Sequence, residues 1–455
     1  MNLLPLEKRS GDVYNDVERT VIRMAKTTTL NLRNLVFYQV FVRQHTPSGT
    51  FKDLIQDLDR IKDLGVDFLY LLPIHPIGKA NRKGSLGSPY AISDYRTINP
   101  EYGSLDDFKD LVYEVKKRGM RLMIDIVFNH TSPDSRLIQE HPEWFYRNEK
   151  GEFANRVGDW SDIRDFDFSS GPDLWKELID TLLYWATLGV EGFRCDVAPL
   201  LPISFWESAR KAVEKVNPNF VWLTESVHIG FIKYLRDMGF DACSDSEMYQ
   251  AFDICYDYDI FDYLLQYLNG ERPIQDYLTM VKNQEGMYPK NYVKLRNLEN
   301  HDQARVASYI TKKEKLVNLT AGLFFLKGAT MIYAGQEATD ENRPDLFESD
   351  KVDWSRYNDN GLVDLMKKLI RLKKDEVFAT GVFTVHESKE ELIHISYESK
   401  TKKIVGIFNL SERGFAVKPI IPNGTYENYL SGKEIRIKEG IVRIKMEPIV
   451  IIHQK

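Results

Sequence analysis

GVEGFRCDVAPLLP, residues 189–202, decides how the rest of the chain is read. A short apolar run carries Arg194 and Asp196 at its far end and then turns apolar again. Side chains at i and i+2 of a strand share a face, so these two charges point the same way. On an open sheet they would make one surface ion pair. Inside a closed barrel they would be charges in an enclosed space, tolerated only where something requires them.

The surrounding pattern favours closure. Short apolar runs recur at VFYQVFV (36–42), DFLYLLPI (67–74), RLMIDIVFN (121–129), GFRCDV (192–197), FVWLTES (220–226), FDACSD (240–245), YVKLRNLEN (292–300) and TMIYAG (330–335). Helix-like segments separate them. In TFKDLIQDLDRIKDLG (50–65), Phe51, Leu54, Ile55, Leu58, Ile61 and Leu64 follow three/four spacing and Gly65 ends the run. SLDDFKDLVYEVKKRG (104–119) repeats the plan, with Ser104 as N-cap and Lys and Arg in the last turn. Strand–helix alternation implies parallel strands, and eight units predict an α/β fold closed as a (β/α)₈ TIM barrel rather than an open doubly wound sheet.

Two segments break the rhythm. Residues 130–170, after the third strand, are rich in Asp, Ser, Arg and aromatics and predict a small inserted domain. Beyond LVDLMKKLIRLKKD (362–375) the chain turns to short alternating strands with turn signals, predicting an antiparallel C-terminal β domain over 376–455. The barrel then occupies 1–129, with an N-terminal extension over about 1–35, and resumes over 171–375.

With 61 basic and 67 acidic residues among 455, a net charge of −6, no field suited to nucleic acid is implied. No run approaches the roughly 18 apolar residues of a membrane span. MNLLPLEKRSGDVYNDVERT, at the N-terminus, lacks a long apolar core of a signal peptide, so a cytoplasmic location is expected. Cys195, Cys243 and Cys255 fit no metal knot and read as inert, reduced thiols. The oligomeric state is left open.

Active sites of such barrels lie at the C-terminal ends of the strands. There the sequence places Asp125, Asn129 and His130 (DIVFNH), Arg194 and Asp196, Glu225 (TES), and Asn300, His301 and Asp302 (ENHD). So many charges at one end predict a common site, since burying them without mutual purpose costs several kcal/mol. Carboxylates without a Cys–His pair or a phosphate loop suit glycosidic chemistry. Arg194 is expected to keep Asp196 ionised as a nucleophile, and Glu225, after the apolar VWLT, to hold a raised pKa as general acid.

The blocks DIVFNH, GFRCDV, TE and ENHD, in this order, resemble the α-amylase family, glycoside hydrolase family 13. So do SPYAISDYRTINPEYGS (88–104), DFD (165–167) and GATMIYAGQE (328–337). The resemblance covers about 36 to 455 and implies a barrel, an inserted domain B after strand three and a C-terminal β-sandwich. It implies Asp196 as nucleophile, Glu225 as acid/base and Asp302 as transition-state stabiliser. His130 and His301 would hold sugar hydroxyls and Tyr90 would stack on the same ring. With Arg194 these form the expected substrate-binding set. The substrate implied is an α-glucan or maltooligosaccharide.

Departures from the family pattern matter too. Many members carry Lys-His after the nucleophile block, shaping the acceptor side and helping to hold calcium; here stand Pro199 and Leu200. No cofactor is required, and calcium is left open at Asn129 and Asp165, with Asp167 close by in sequence. Exo-acting α-glucosidases usually place an aspartate three residues before the stacking tyrosine; here it is Gly87. Val197 resembles members that act on α-1,6 bonds or mixed substrates. Trp160, Trp206 and Tyr95 read as core, while Asn342, Arg343 and Asp345 stay open between surface loop and substrate contact. The favoured function is a retaining hydrolase of α-1,4-glucans. The alternatives are a transglycosylase, an α-1,6-acting glucosidase, or a non-catalytic binding member, which the three carboxylates disfavour.

Overall fold

The computed structural model describes residues 28–158 and 160–455. The N-terminal stretch examined for a signal peptide, and most of the extension expected over 1–35, lie outside the described residues. Eight parallel strands close into a barrel: Val36–Val40, Phe68–Leu71, Arg121–Ile126, Gly192–Cys195, Val221–Thr224, Ile254–Tyr256, Lys294–Arg296 and Ala329–Tyr333. Most are buried along their whole length, as strands covered on both faces must be. Strand three pairs with strand four so that Asp125 lies beside Arg194. That register brings a carboxylate to the arginine questioned at the outset.

The helices begin and end where local chemistry dictates. Phe51–Leu64 is capped by Thr50, whose hydroxyl accepts from the Asp53 N–H, and it stops at Gly65 with φ +96°. Leu105–Lys117 starts from a reciprocal capping box between Ser104 and Asp107. Their apolar faces join one continuous core that holds the fully buried Trp185, Trp206 and Trp222. Cys195 and Cys255 are buried and Cys243 is half-buried, all three unpaired. Among the described residues no helix is long and apolar enough to cross a membrane.

The sixth strand is not FDACSD (240–245). That stretch is a loop whose Cys243 N–H donates to the Pro199 carbonyl at 2.8 Å, and it leads into the short helix Asp245–Met248 through a Ser244–Glu247 capping box. The barrel strand is Ile254–Tyr256, only three residues long and wholly buried. Its neighbour Lys294 is fully buried and binds Asp245, Asp259 at 2.9 Å and the Tyr256 carbonyl at 3.2 Å. One ammonium therefore ties the misread segment to the true strand. Lys294→Met would leave two buried carboxylates without their cation, so a loss of about 3–5 kcal/mol is expected in urea unfolding. An unchanged midpoint would show that the pair is relieved in some other way.

Between strand three and the helix Pro172–Thr187, the ribbon His130–Thr131/Arg164–Asp165 anchors an inserted segment. After the helix Leu362–Lys373 the chain forms a four-stranded antiparallel sheet of Val382–Val385, Leu392–Glu398, Lys402–Asn409 and Ile449–Gln454. Two ribbons, Phe415–Val417/Val442–Ile444 and Gly424–Glu427/Glu434–Ile437, share an apolar cluster with it and so complete a second layer. The sheet's other face packs on the barrel helix Lys313–Phe325. A Cβ at Gly406 would fall 2.7 Å from the Phe325 ring, so only glycine allows that approach.

Candidate active site

Asp196 and Glu225 each stand one residue past the end of a strand. Their backbone N–H groups still pair with the neighbouring strand, Asp196 to Ile126 and Glu225 to Cys195. The sheet thereby aims both carboxyls from the barrel's C-terminal rim. Beneath them Arg194, fully buried, donates through Nη1 to both Asp125 oxygens at 2.8 Å and to Asp196 at 2.8 Å. Its Nη2 lies 2.7 Å from Glu225 Oε1. Asp125 also accepts from the Tyr70 and Tyr90 hydroxyls, each at 3.0 Å.

Arg194 thus serves three carboxylates, which corrects the expectation that it would simply hold Asp196 ionised. It is not part of the cavity lining, so it stands behind the residues expected to bind substrate. Burial and the neighbouring Glu225 push the Asp196 carboxyl well above its usual range, against the pull of Arg194. Burial raises Glu225 as well, with Arg194 opposing. One guanidinium cannot neutralise both, so the pair retains a proton where isolated carboxylates would have lost theirs. Asp302 differs: its side chain is 38 % exposed, and such desolvation as it feels is outweighed by His301 at 3.0 Å, which leaves it below the usual range.

The polar groups around the carboxyls form one consistent network. If Tyr90 donates to Asp125, then His301 Nε2, 2.6 Å from the Tyr90 oxygen and 3.0 Å from Asp302, is the donor on that side, while Gln39 Nε2 lies 3.2 Å from His301 Nδ1. The Tyr90 and His301 rings stack at 5.5 Å. Asn300 accepts from the Asp302 N–H at 2.9 Å and donates to the hydroxyl of Tyr258, two residues beyond the strand that the sequence pattern missed. Val197 is held at φ 34°, ψ 39°, a left-handed conformation that β-branched residues rarely adopt. This turns its N–H onto Glu225 Oε2 at 2.9 Å, a strained backbone placed in contact with the acid.

These groups open into a cavity of about 330 Å³ lined by Tyr90, His130, Asp196, Glu225 and Asp302, with Trp160 from the inserted segment and Phe347 from the loop after strand eight. The volume lies in the range of small-molecule sites. A Lys83–Asp162 ion pair of 2.9 Å spans from the loop after strand two to the inserted segment at its rim. Trp160, read as core, is instead half-buried on the wall, 6.0 Å from the His130 ring and 6.4 Å from Phe231. Tyr95 and Trp206 are core, and each also fixes a site loop by donating to the carbonyls of His130 and Ala198. Asp345 folds the loop that carries Phe347 by accepting its N–H at 2.7 Å, while Asn342 and Arg343 are exposed. The sequence marked the strand ends well but gave little sign of wall residues brought by loops.

Asn129 and Asp165, the expected calcium ligands, have a different donor set. Asp165 Oδ2 accepts from the backbone N–H of Arg156 at 2.8 Å and from its Nη1 at 3.3 Å, and Oδ1 accepts from Asn129 Nδ2 at 3.3 Å. Asp167 accepts from the Ser169 backbone and hydroxyl. Calcium needs six to eight oxygen ligands, whereas here a guanidinium and an amide N–H face the carboxylate. These residues do not fit the ion. Burial pushes Asp165 up to about 6, with Arg156 the largest opposing influence.

The family model described as alpha amylase, catalytic domain, matches residues 23–156 and 137–377, and that of the bacterial alpha amylase C-terminal domain matches 384–451. The chain belongs to the α-amylase family. An α-amylase structure from Lactobacillus plantarum is 44% identical with a TM-score of 0.90, covering 93% of this α-amylase-family chain and 100% of its own. A maltogenic α-amylase from Thermotoga neapolitana is 32% identical with a TM-score of 0.83, over 93% and 100% of the two chains. Curated relatives include the α-1,4-glucan:maltose-1-phosphate maltosyltransferase of Pseudomonas aeruginosa, 35% identical over 48% of this chain. The matched stretch spans only 35% of that relative's length. A Streptomyces coelicolor maltosyltransferase of the same description is 27% identical over 83% of this chain and 58% of its own. The family thus joins members named for amylase action with members named for transfer.

Proposed function

We propose that the protein is a retaining α-glycoside hydrolase acting on α-1,4 bonds of starch-like glucans or maltooligosaccharides. The observation that carries this is the pair Asp196–Glu225, held at adjacent strand ends by one buried arginine, with both carboxyls raised by burial. In the first step Glu225 gives its proton to the glycosidic oxygen while Asp196 attacks the anomeric carbon, forming a glycosyl ester and releasing the leaving sugar. Water, deprotonated by Glu225, then displaces Asp196, so that the two inversions restore the α configuration. Asp302, held low by His301, faces the charge that develops on the ring. His130, His301 and Tyr90 hold that sugar.

Two features support cleavage within chains. Gly87 has φ +80°, and a Cβ there would lie 2.9 Å from both Arg82 Cγ and Ile77 Cγ2, so an acidic side chain placed there to bind a terminal hydroxyl would be both strained and crowded. On the leaving-group side Pro199 is buried, and Leu200 joins an apolar cluster with Val197 and Phe231. A lysine at 199 would have to be buried, so the acceptor side is apolar by construction. Trp160 supplies a stacking face there, and Trp160→Ala is expected to raise KM for maltoheptaose about 3- to 10-fold with a smaller change in kcat. An unchanged KM would return Trp160 to a packing role.

A second reading, transfer to an acceptor sugar, is favoured by that apolar acceptor side and by relatives named as maltosyltransferases. A time course on maltoheptaose labelled at its reducing end separates the readings. Hydrolysis within chains gives labelled and unlabelled fragments of intermediate length. Products longer than seven units mark transfer, and glucose alone from the unlabelled end would mark an exo-acting α-glucosidase instead.

A further inference from the structure

Arg156 sits where three parts of the molecule meet. Its backbone and guanidinium hold the Asp165 carboxylate, and its Nη2 donates to the Phe166 carbonyl at 3.0 Å. Its planar head lies 5.0 Å from the Tyr146 ring of the inserted segment and 5.7 Å from that of Phe240, which follows the barrel helix Ile229–Asp237. The Phe166 N–H donates to the Asn129 carbonyl at 3.0 Å, which joins the same segment to the end of strand three. The side chain is largely buried, at 17 % exposure. A cation fixed between a buried carboxylate and two rings is a mechanical joint.

From this joint a chain of contacts runs to the cavity. Asn129 Nδ2 lies 3.3 Å from Asp165 Oδ1 and 3.1 Å from His130 Nδ1. With the amide donating, Nδ1 accepts and the ring proton resides on Nε2. That Nε2 is buried, has no hydrogen-bond partner in the protein, and belongs to a residue of the cavity wall.

We propose that Arg156 is the resident cation of the domain B joint, making the enzyme independent of calcium. Through Asp165 and Asn129 it is also a positioning residue that sets the tautomer and aim of His130. A divalent ion would have to displace a guanidinium whose donors already meet the available oxygens. The activity arm of the test rests on the glycosidase reading, but the melting and tautomer arms do not, so the two can fail separately.

The test uses the full-length protein, with Arg156→Gln and Arg156→Lys variants. Wild type dialysed against EDTA should keep its melting temperature and its kcat on maltoheptaose, and millimolar calcium chloride should raise neither. A fall on chelation that calcium reverses would overturn the metal-independent joint. This arm needs no variant, so it stands even if Arg156→Gln folds poorly. ¹⁵N NMR of labelled histidines, with His130 assigned by loss of its signal in His130→Gln, should show the Nε2–H form in wild type. Arg156→Gln should show a tautomer mixture and a 10- to 100-fold fall in kcat, and Arg156→Lys should recover part of both. A folded Arg156→Gln with the wild-type tautomer and kcat would refute the positioning role.

Discussion

Asp196→Asn is expected to lower turnover on maltoheptaose by roughly 10³- to 10⁶-fold, since removal of a nucleophile does far more than weaken binding. The amide keeps the shape of the carboxylate but cannot form the glycosyl ester. Stability should move the other way. The folded-state pKa of Asp196 lies above its unfolded value, so its contribution is greatest in acid and is lost as pH rises through the folded value. A neutral isostere escapes that loss, and it leaves Arg194 to Asp125 and Glu225 alone. The melting temperature at pH 7 should therefore be equal to or slightly above that of wild type. Retention of more than a tenth of wild-type turnover in a folded variant would remove Asp196 from the nucleophile's role.

Glu225→Gln should lower kcat on maltooligosaccharides by about 10²- to 10⁴-fold, the usual worth of a positioned general acid. The loss should shrink for an α-glucosyl substrate with an acidic phenol as leaving group, because that group departs without a proton. The pH profile is the sharper test. Because Asp196 and Glu225 are both raised, wild-type kcat/KM should stay high until the pair loses its retained proton and then fall as pH increases. Glutamine cannot lose a proton in this range, so the alkaline limb should flatten. A variant that keeps the wild-type alkaline limb would assign that limb to another group.

The barrel could be read from sequence because seven of the eight short apolar runs alternate with helix-like segments and coincide with its strands. The sixth could not. Ile254–Tyr256 has three residues between Asp253 and Asp257, too short to outweigh FDACSD, whose apolar look comes from a loop packed on Pro199. The Ser244-x-x-Glu247 pair did mark a helix start within reach of that false strand. In the site, Asp196, Glu225, His130, His301 and Asp302 were legible because strand ends fix their direction. Arg194's division among three carboxylates was not, since two of its partners lie on other strands and pairing register is invisible in one sequence. Nor was Arg156: it stands in a loop nine residues before Asp165, where no periodicity assigns it a direction.

The proposed mechanism is a double displacement at Asp196 assisted by Glu225. Proton NMR of the first product formed from maltoheptaose, recorded before mutarotation, tests it most directly. The predicted result is an initial signal from the α-anomer alone, converting later to the equilibrium mixture; an initial β-anomer would contradict it.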